Sequence, residues 1–374
     1  MTTLSFTGDI AFSKYFKDAW KNPTFLDTKV VDFLRKSDHV IANVECPVTG
    51  GDVSVDSSLT HASDPGAIDC LNLIGADIWT VANNHIMDCG REGLESTLQI
   101  AAENGIPTLG VGLDIAQAAK AVIIENDGAD IGLLSVTQEE SPAATEDSEG
   151  VIRWDDKEKI AEMIAGVKKT CRWCVMIVHA GPEFATLMPP MVRDIYKSYL
   201  DMGADVVIGH HPHVTMNYEL VGDKVIFYSL GNFVFDTDYQ RLQKYTEFGV
   251  FVKLNFGEDS FTWDHQGMKI DRETQTIVPC EAPEIFTNVS AEQYELLWPL
   301  AMHCLYQNEV VKFKYLFPKM KDYTEAEWEE YYQGRIKRLP HWAGIVDGKQ
   351  RYCSDPRKVG DEKIRKYIEQ SVAK

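Results

Sequence analysis

Val206-Val207-Ile208-Gly209-His210-His211-Pro212-His213 sets a short apolar run directly against three histidines. The run is too short for a helix and has no polar face, so it reads as a strand buried on both sides of a parallel sheet. Pro212 forbids a helix and biases His211 toward an extended conformation. Residues two apart in an extended segment share a side. His211 and His213 are therefore expected to converge on one point, with His210 facing elsewhere. A lone histidine is more often a satisfied core residue than a ligand. Two neutral imidazoles converging at a strand end form half of a metal site.

The same signature recurs along the chain. The strand Thr3 to Thr7 ends in Gly8-Asp9, and Val40 to Val44 ends in Glu45. Ile78 to Ala82 ends in Asn83-Asn84-His85, with Asp88 and Gly90 close behind. Val175 to Val178 ends in His179-Ala180-Gly181-Pro182-Glu183. Helical periodicity lies between these strands, around Lys29–Lys36, Pro65–Leu73, Gly93–Asn104, Asp156–Thr170 and Met191–Met202. This alternation predicts an α/β fold whose chemistry sits outside the carboxyl ends of the strands. Beyond His213, Glu219–Gly222 with Lys224–Ser229 reads as a hairpin, and Gly249–Phe256 with Phe261–Ile270 as an antiparallel pair. Residues 50–65 and Gln138–Gly150 read as loops, the second acidic and placed to act as a lid. His61 and Asp64 lie in the first of these and could reach a substrate, although solvated loop residues are the commoner case at such positions.

A single carboxylate at a strand end is usually a turn or cap residue. Five strand ends carrying Asp9, Glu45, Asn84-His85, His179 and His211-x-His213 supply enough oxygen and nitrogen donors for two divalent ions. That mixture suits Zn, Mn or Fe better than Ca or Mg. Two such ions roughly 3.5–4 Å apart can share a hydroxide and clamp both oxygens of an in-line displacement.

The 374 residues carry 37 basic and 57 acidic side chains, a net charge of -20. That argues against nucleic acid and anionic lipid as main partners, since both demand basic patches. It fits divalent cations or a small-molecule, phosphoester or peptide-like substrate. No apolar run is long enough to span a membrane. A strand starting at Thr3 leaves no room for a leader, so a cytoplasmic protein is expected. The 8 cysteines are scattered, and Cys171-x-x-Cys174 reads as two buried thiols rather than a redox or zinc pair. Past residue 285 aromatic and charged residues mix at helical spacing, as in Tyr294, Leu297, Trp298, Ala301 and Leu305, then Trp328–Ile336 and Lys363–Val372. The expected organisation is one catalytic domain over residues 1–285 and a helical extension over 286–374 packed on it.

The ordered motifs Gly8-Asp9, Asn43-Val44-Glu45, Asn83 to Gly90, His179 to Glu183, Gly209 to Val214 and Ser229 to Phe235 resemble those of the CapA, or poly-γ-glutamate capsule synthesis, proteins. These are a branch of the calcineurin-like metallophosphatase superfamily, and the resemblance covers about residues 3–256. It implies an αββα sandwich of two mixed sheets. It also implies that Asp9 and His213 hold one metal, that Asn84, His179 and His211 hold a second, and that Glu45 bridges them. His85 would donate a proton to the leaving group, with Asp88 and Glu183 assisting. Asn232 would either support the ligands or meet the substrate, and His61, from its loop, is a further candidate to meet it. The resemblance thus points to a metal-dependent hydrolase, a metal-bound hydroxide attacking a phosphoester or a γ-glutamyl amide. The alternatives are an assembly subunit of polymer synthesis with a vestigial site, or metal-assisted, epimerase-like proton transfer on a peptide. Two positions depart from the pattern. Ala11 stands where the superfamily has a histidine, which predicts a weakened first site, and Ala180 stands where a tryptophan is usual, which predicts a wider pocket.

Overall fold

Every strand quoted above is present, and their order explains why so many are apolar on both faces. The computed structural model describes residues 1–50, 60–138 and 140–298, with isolated positions between 324 and 350. The first sheet begins with β1 (Thr2–Ile10), β2 (His39–Val44), β3 (Ala76–Thr80) and β4 (Thr108–Leu109), all parallel. Helices α1 (Thr28–Arg35), α2 (Ile68–Ile74) and α3 (Gly90–Glu103) make the crossovers. Asp27 caps α1 by accepting from the Lys29 amide at 2.8 Å, and Gly75 ends α2 in the left-handed region. A short ribbon of β5 (Val111–Gly112), followed by α4 (Ile115–Ala118), leads to the second sheet.

That sheet contains β6 (Val122–Ile124), β7 (Ile131–Thr137), β9 (Trp173–His179), β10 (Val206–His210), β11 (Tyr218–Val221) and β12 (Lys224–Phe227), while β8 (Gly150–Val151) pairs with β5. Its spatial order is β11-β12-β10-β9-β7-β6, parallel inside and antiparallel at both edges. Helices α5 (Lys157–Lys168) and α6 (Pro190–Met202) cover its outer face. The chain then returns to the first sheet. There β13 (Asn232–Val234) lies beside β1, α7 (Asp238–Arg241) follows, and β14 (Phe248–Phe256), β15 (Phe261–Asp271) and β16 (Thr276–Cys280) continue outward from β1 as an antiparallel meander.

Three cores make the four layers. Leu4, Phe6, Ile41, Ile177 and Ile208 meet between the sheets. Val30, Leu71 and Leu94 of the first helix layer pack on the opposite face of sheet one. Ile164, Tyr196 and Leu200 do the same on sheet two. Alternation within β10 shows the two-sided demand: Val206 and Ile208 face the other sheet, and Val207 faces the helices. This is the αββα arrangement of two mixed sheets. Parallel register then gathers the strand ends, pairing His210 with His179 and Asp9 with both Asn43 and Asn232. Two glycines permit that convergence. A Cβ on Gly209 would stand 2.1 Å from the Tyr228 carbonyl oxygen, and one on Gly8 2.3 Å from that of Gly231.

Cys171 and Cys174 are both buried free thiols. Residues 291–298 are helical, and their Tyr294 and Trp298 pack into the core of the second layer. The remaining expected helices, Trp328–Ile336 and Lys363–Val372, fall almost wholly outside the described residues. Among the described residues no helix is long and apolar enough to cross a membrane. A buried ion pair fastens α6 to β11: Arg193 donates to Glu219 at 2.8 and 2.6 Å, and Tyr228 and Lys197 donate to the same carboxylate. Arg193 also stacks on Tyr294, 4.3 Å from the ring centre.

Candidate metal centre

The turn after β10 is not extended. His211 and His213 both take positive φ, +95° and +58°, on either side of Pro212. Histidine tolerates this region better than most residues, yet each such position still costs on the order of 1–3 kcal/mol. The imidazoles thus reach the site by backbone reversal rather than by the two-residue period of a strand. His210 does not face elsewhere either. It is the last residue of β10, it is buried, and its Nδ1 lies 3.1 Å from Asp9 Oδ1.

Two groups of buried donors meet here. Glu45, His179 and His211 offer ligand atoms within 4.8 Å of one another, as do Asp9, Glu45 and His213. Glu45 belongs to both. In the first group, His179 Nε2 stands 3.4 Å from Glu45 Oε1, 3.2 Å from His211 Nδ1 and 2.9 Å from Asn84 Oδ1. In the second, His213 lies 3.2 Å from Asp9 Oδ2 through Nδ1 and 3.6 Å from Glu45 Oε1 through Nε2. Asp9 Oδ1 is already engaged by the Asn43 amide at 2.8 Å and by His210, which leaves Oδ2 for other work.

The unsatisfied atoms test whether cations fit. Both oxygens of Glu45, Oδ2 of Asp9 and Nε2 of His213 are buried and accept or donate no hydrogen bond. Leaving such groups unpaired is expensive, and all of them are hard or borderline ligands pointing into one small volume. Burial, and then the charge of Asp9, pushes the Glu45 carboxyl well above the usual carboxylate range. Burial would also raise Asp9, but the His210 and His213 rings overcome it and hold Asp9 well below that range. Burial keeps His179 and His211 well below the ordinary imidazole value, so both are neutral and free to ligate. This donor set fits one or two divalent ions. Ala11 supplies no donor and packs with Cys46 and Phe235.

Beside the ligands sits a second arrangement. His85 Nδ1 lies 2.8 Å from Asp88 Oδ2, so the carboxylate orients the ring. The His61 backbone amide donates to the same oxygen at 2.7 Å. His61 itself is fully buried, with Nδ1 2.7 Å from Ser13 Oγ and its ring edge-to-face with His85 at 4.6 Å. This is not the solvated loop residue that its polar neighbours suggest, and burial followed by the charge of His85 keeps it well below the ordinary imidazole value. Phe235 walls off His61 and His213, at 4.9 and 4.8 Å between ring centres. Glu183 is half-buried and near enough for its charge to act on Glu45 and His211. Asn232 is wholly buried behind His213, accepting from its Nδ1 at 3.0 Å, a position suited to holding that ring. Asp64 caps the turn at Pro65.

One contributor lies in the loop expected to be a lid. Gln138 places its amide nitrogen 2.6 Å from His211 Nε2 and accepts from the Gly181 amide at 2.9 Å. Ser141, in the same loop, donates to the Asn83 carbonyl at 2.8 Å. Part of this segment is thereby fastened to the site.

The family described as bacterial capsule synthesis protein PGA_cap matches residues 3–237. The chain is 32% identical over 244 residues to the PGA biosynthesis protein CapA of Bacillus subtilis, covering 63% of this chain and 64% of that one. It is 26% identical over 250 residues to the capsule biosynthesis protein CapA of Bacillus anthracis, covering 64% and 61%. The matches thus span less than two thirds of these relatives' length. Among solved structures it is similar to the NAD nucleotidase of Haemophilus influenzae, with a TM-score of 0.41 and 13% identity over 90% of this chain and 60% of that one.

Proposed function

The chain belongs to the bacterial capsule synthesis protein family PGA_cap, and from that premise we propose that it is a metal-dependent hydrolase of the metallophosphatase type, acting on a γ-glutamyl amide or a phosphoester. The observation that carries this reading is the pair of buried donor groups sharing Glu45, whose unsatisfied atoms call for cations. Asp9 and His213 would hold one ion, Asn84, His179 and His211 the other, and Glu45 would bridge. Bound ions would polarise the scissile carbonyl or phosphoryl oxygen and lower the pKa of water.

The chain's own residues do the rest. Asp88 orients the ring of His85, which would deliver a proton to the leaving group as general acid. Asn232 fixes the tautomer of His213, presenting Nε2 to the ion. Phe235 excludes water from the space between His61, His85 and His213, which strengthens charge interactions there. Relatives named for PGA and capsule biosynthesis favour the γ-glutamyl substrate. A pure assembly role is less favoured, because a -20 surface repels an acidic polymer unless bound metal mediates, and a pure scaffold need not hold metal. The test combines elemental analysis of protein purified without chelator with a screen of γ-glutamyl peptides and phosphoesters in added Mn²⁺ or Zn²⁺. Stoichiometric metal with metal-dependent turnover is expected. Clearly sub-stoichiometric metal, or turnover indifferent to chelation, would overturn the reading.

A further inference from the structure

The site's support does not end with the segment that the family match covers. Residues 238–272 contribute Gln240, Arg241, Thr246 and Arg272, and these converge on the side of the site that holds His213. Asn232, which accepts from His213 Nδ1, is itself held by the Thr246 carbonyl at 2.9 Å and by Gln240 Oε1 at 3.3 Å. The Thr246 hydroxyl donates to the Gln240 carbonyl at 2.8 Å and accepts from Arg272 at 2.7 Å. Arg272 also donates to Asp236 at 3.1 Å, while Arg241 donates to the other oxygen of Asp236 at 2.6 Å. Asp236 is fully buried, so both its oxygens are fixed between two guanidinium groups. Contacts therefore run from Arg272, just past β15, to the Thr246 hydroxyl, across the Thr246 backbone to its carbonyl, and on through Asn232 to one imidazole.

We propose that Arg272 is a positioning residue for the ion held by Asp9, Glu45 and His213, acting through Thr246 and Asn232 on the His213 ring. The inference rests on the metal-dependent reading above. Its physical basis is that an imidazole ligand binds well only when the group behind its other nitrogen holds the ring and its tautomer. Asn232 can do so only if its own amide is pinned. The other ion's ligands, Asn84, His179 and His211, have their partners elsewhere and no bond to this run of contacts. The effect should accordingly be confined to one ion.

The experiment titrates the full, chelator-stripped chain with Co²⁺, following heat and visible absorption. Wild type is compared with Arg272→Ala, Arg272→Lys and Thr246→Val. The last removes the hydroxyl with little change of shape and guards against an arginine variant that fails to fold. Arg272→Ala and Thr246→Val are expected to weaken one Co²⁺ binding event about 10–100-fold and leave the other unchanged, with Arg272→Lys partly restoring it. A merely structural role would lower the melting temperature of the stripped protein and weaken both events or neither. Wild-type affinities in Thr246→Val, or equal weakening of both events, overturns the proposal. Failure of wild type to bind Co²⁺ at all would instead sink the metal-dependent reading, and this inference with it.

Discussion

Replacing Glu45 by glutamine should move stability in opposite directions with and without metal. The carboxylate is fully buried, neither oxygen has a hydrogen-bond partner, and Asp9 adds a second negative charge nearby. An unsatisfied buried polar group costs about 1–3 kcal/mol, and more when charged. Glutamine keeps the shape and removes the charge. Chelator-stripped Glu45→Gln is thus expected to be more stable than stripped wild type by about 1–3 kcal/mol, or several degrees at about 2–4 °C per kcal/mol. Protonation of wild-type Glu45 limits this gain at low pH. Its folded pKa lies above the unfolded one, so its contribution is present at low pH and is lost as pH rises through the folded value. Glutamine does not titrate, so the gap between the two stripped proteins should widen with rising pH. Metal reverses the order. An ion at a thousand times its Kd stabilises the native state by about 4.1 kcal/mol, and the variant forfeits most of that along with the shared ligand. Thermal melts of both proteins, stripped and then reloaded with Mn²⁺ or Zn²⁺, provide the assay. A stripped variant that melts below stripped wild type, or that rises as far with metal, would refute the reasoning.

Three further outcomes are expected. His85→Ala should keep its metal by elemental analysis and lose on the order of 10²–10⁴ in turnover; loss of metal instead would make His85 a ligand. His210→Ala removes a donor from Asp9 and should weaken one ion about 10–100-fold in a chelator competition, with full retention showing that Asn43 alone holds Asp9. Glu219→Gln leaves Arg193 buried without its counter-ion and should cost about 3–5 kcal/mol in urea unfolding near neutral pH. Burial alone would raise the Glu219 carboxyl, but Arg193 and Tyr228 hold it below the ordinary value. Its contribution is accordingly present above the unfolded pKa and lost as pH falls through the folded one, so the two proteins should converge below about pH 4.

The strands and their polar ends were legible because each is a short apolar run that stops abruptly at a carboxylate, amide or imidazole. Burial on both sheet faces forces the run, and ligand chemistry forces the stop. What period-two reasoning missed is the turn at His211–His213. Its positive φ angles are imposed by packing, with the Pro212 carbonyl accepting from the Phe184 amide, itself at φ +60°. A strand rule assigns His210 to the wrong side because it has no access to that constraint. Asn232 was legible as a site residue, but its role depends on which way its amide faces, and that is fixed by Thr246 fourteen residues later. Gln138 lies at the start of a polar loop where no periodicity marks it out. His61 gave the opposite error, since a Gly- and Ser-rich neighbourhood suggests solvent where the structure has a closed pocket.

The donors that would hold a shared pair of ions come from different sheets: Asp9 and Glu45 from the first, His179, His211 and His213 from the second. The spacing between the two halves of the site is set by Phe6, Ile41, Ile177 and Ile208, which fill the gap between the sheets. Those greasy side chains therefore act as shims. Trimming one methylene there, a change of about 0.5–1.5 kcal/mol in stability for Ile→Val, would also let the two ligand sets shift against each other. Preference among ions of different radius thus becomes a property of the apolar filling, open to adjustment by drift at positions that never touch a metal.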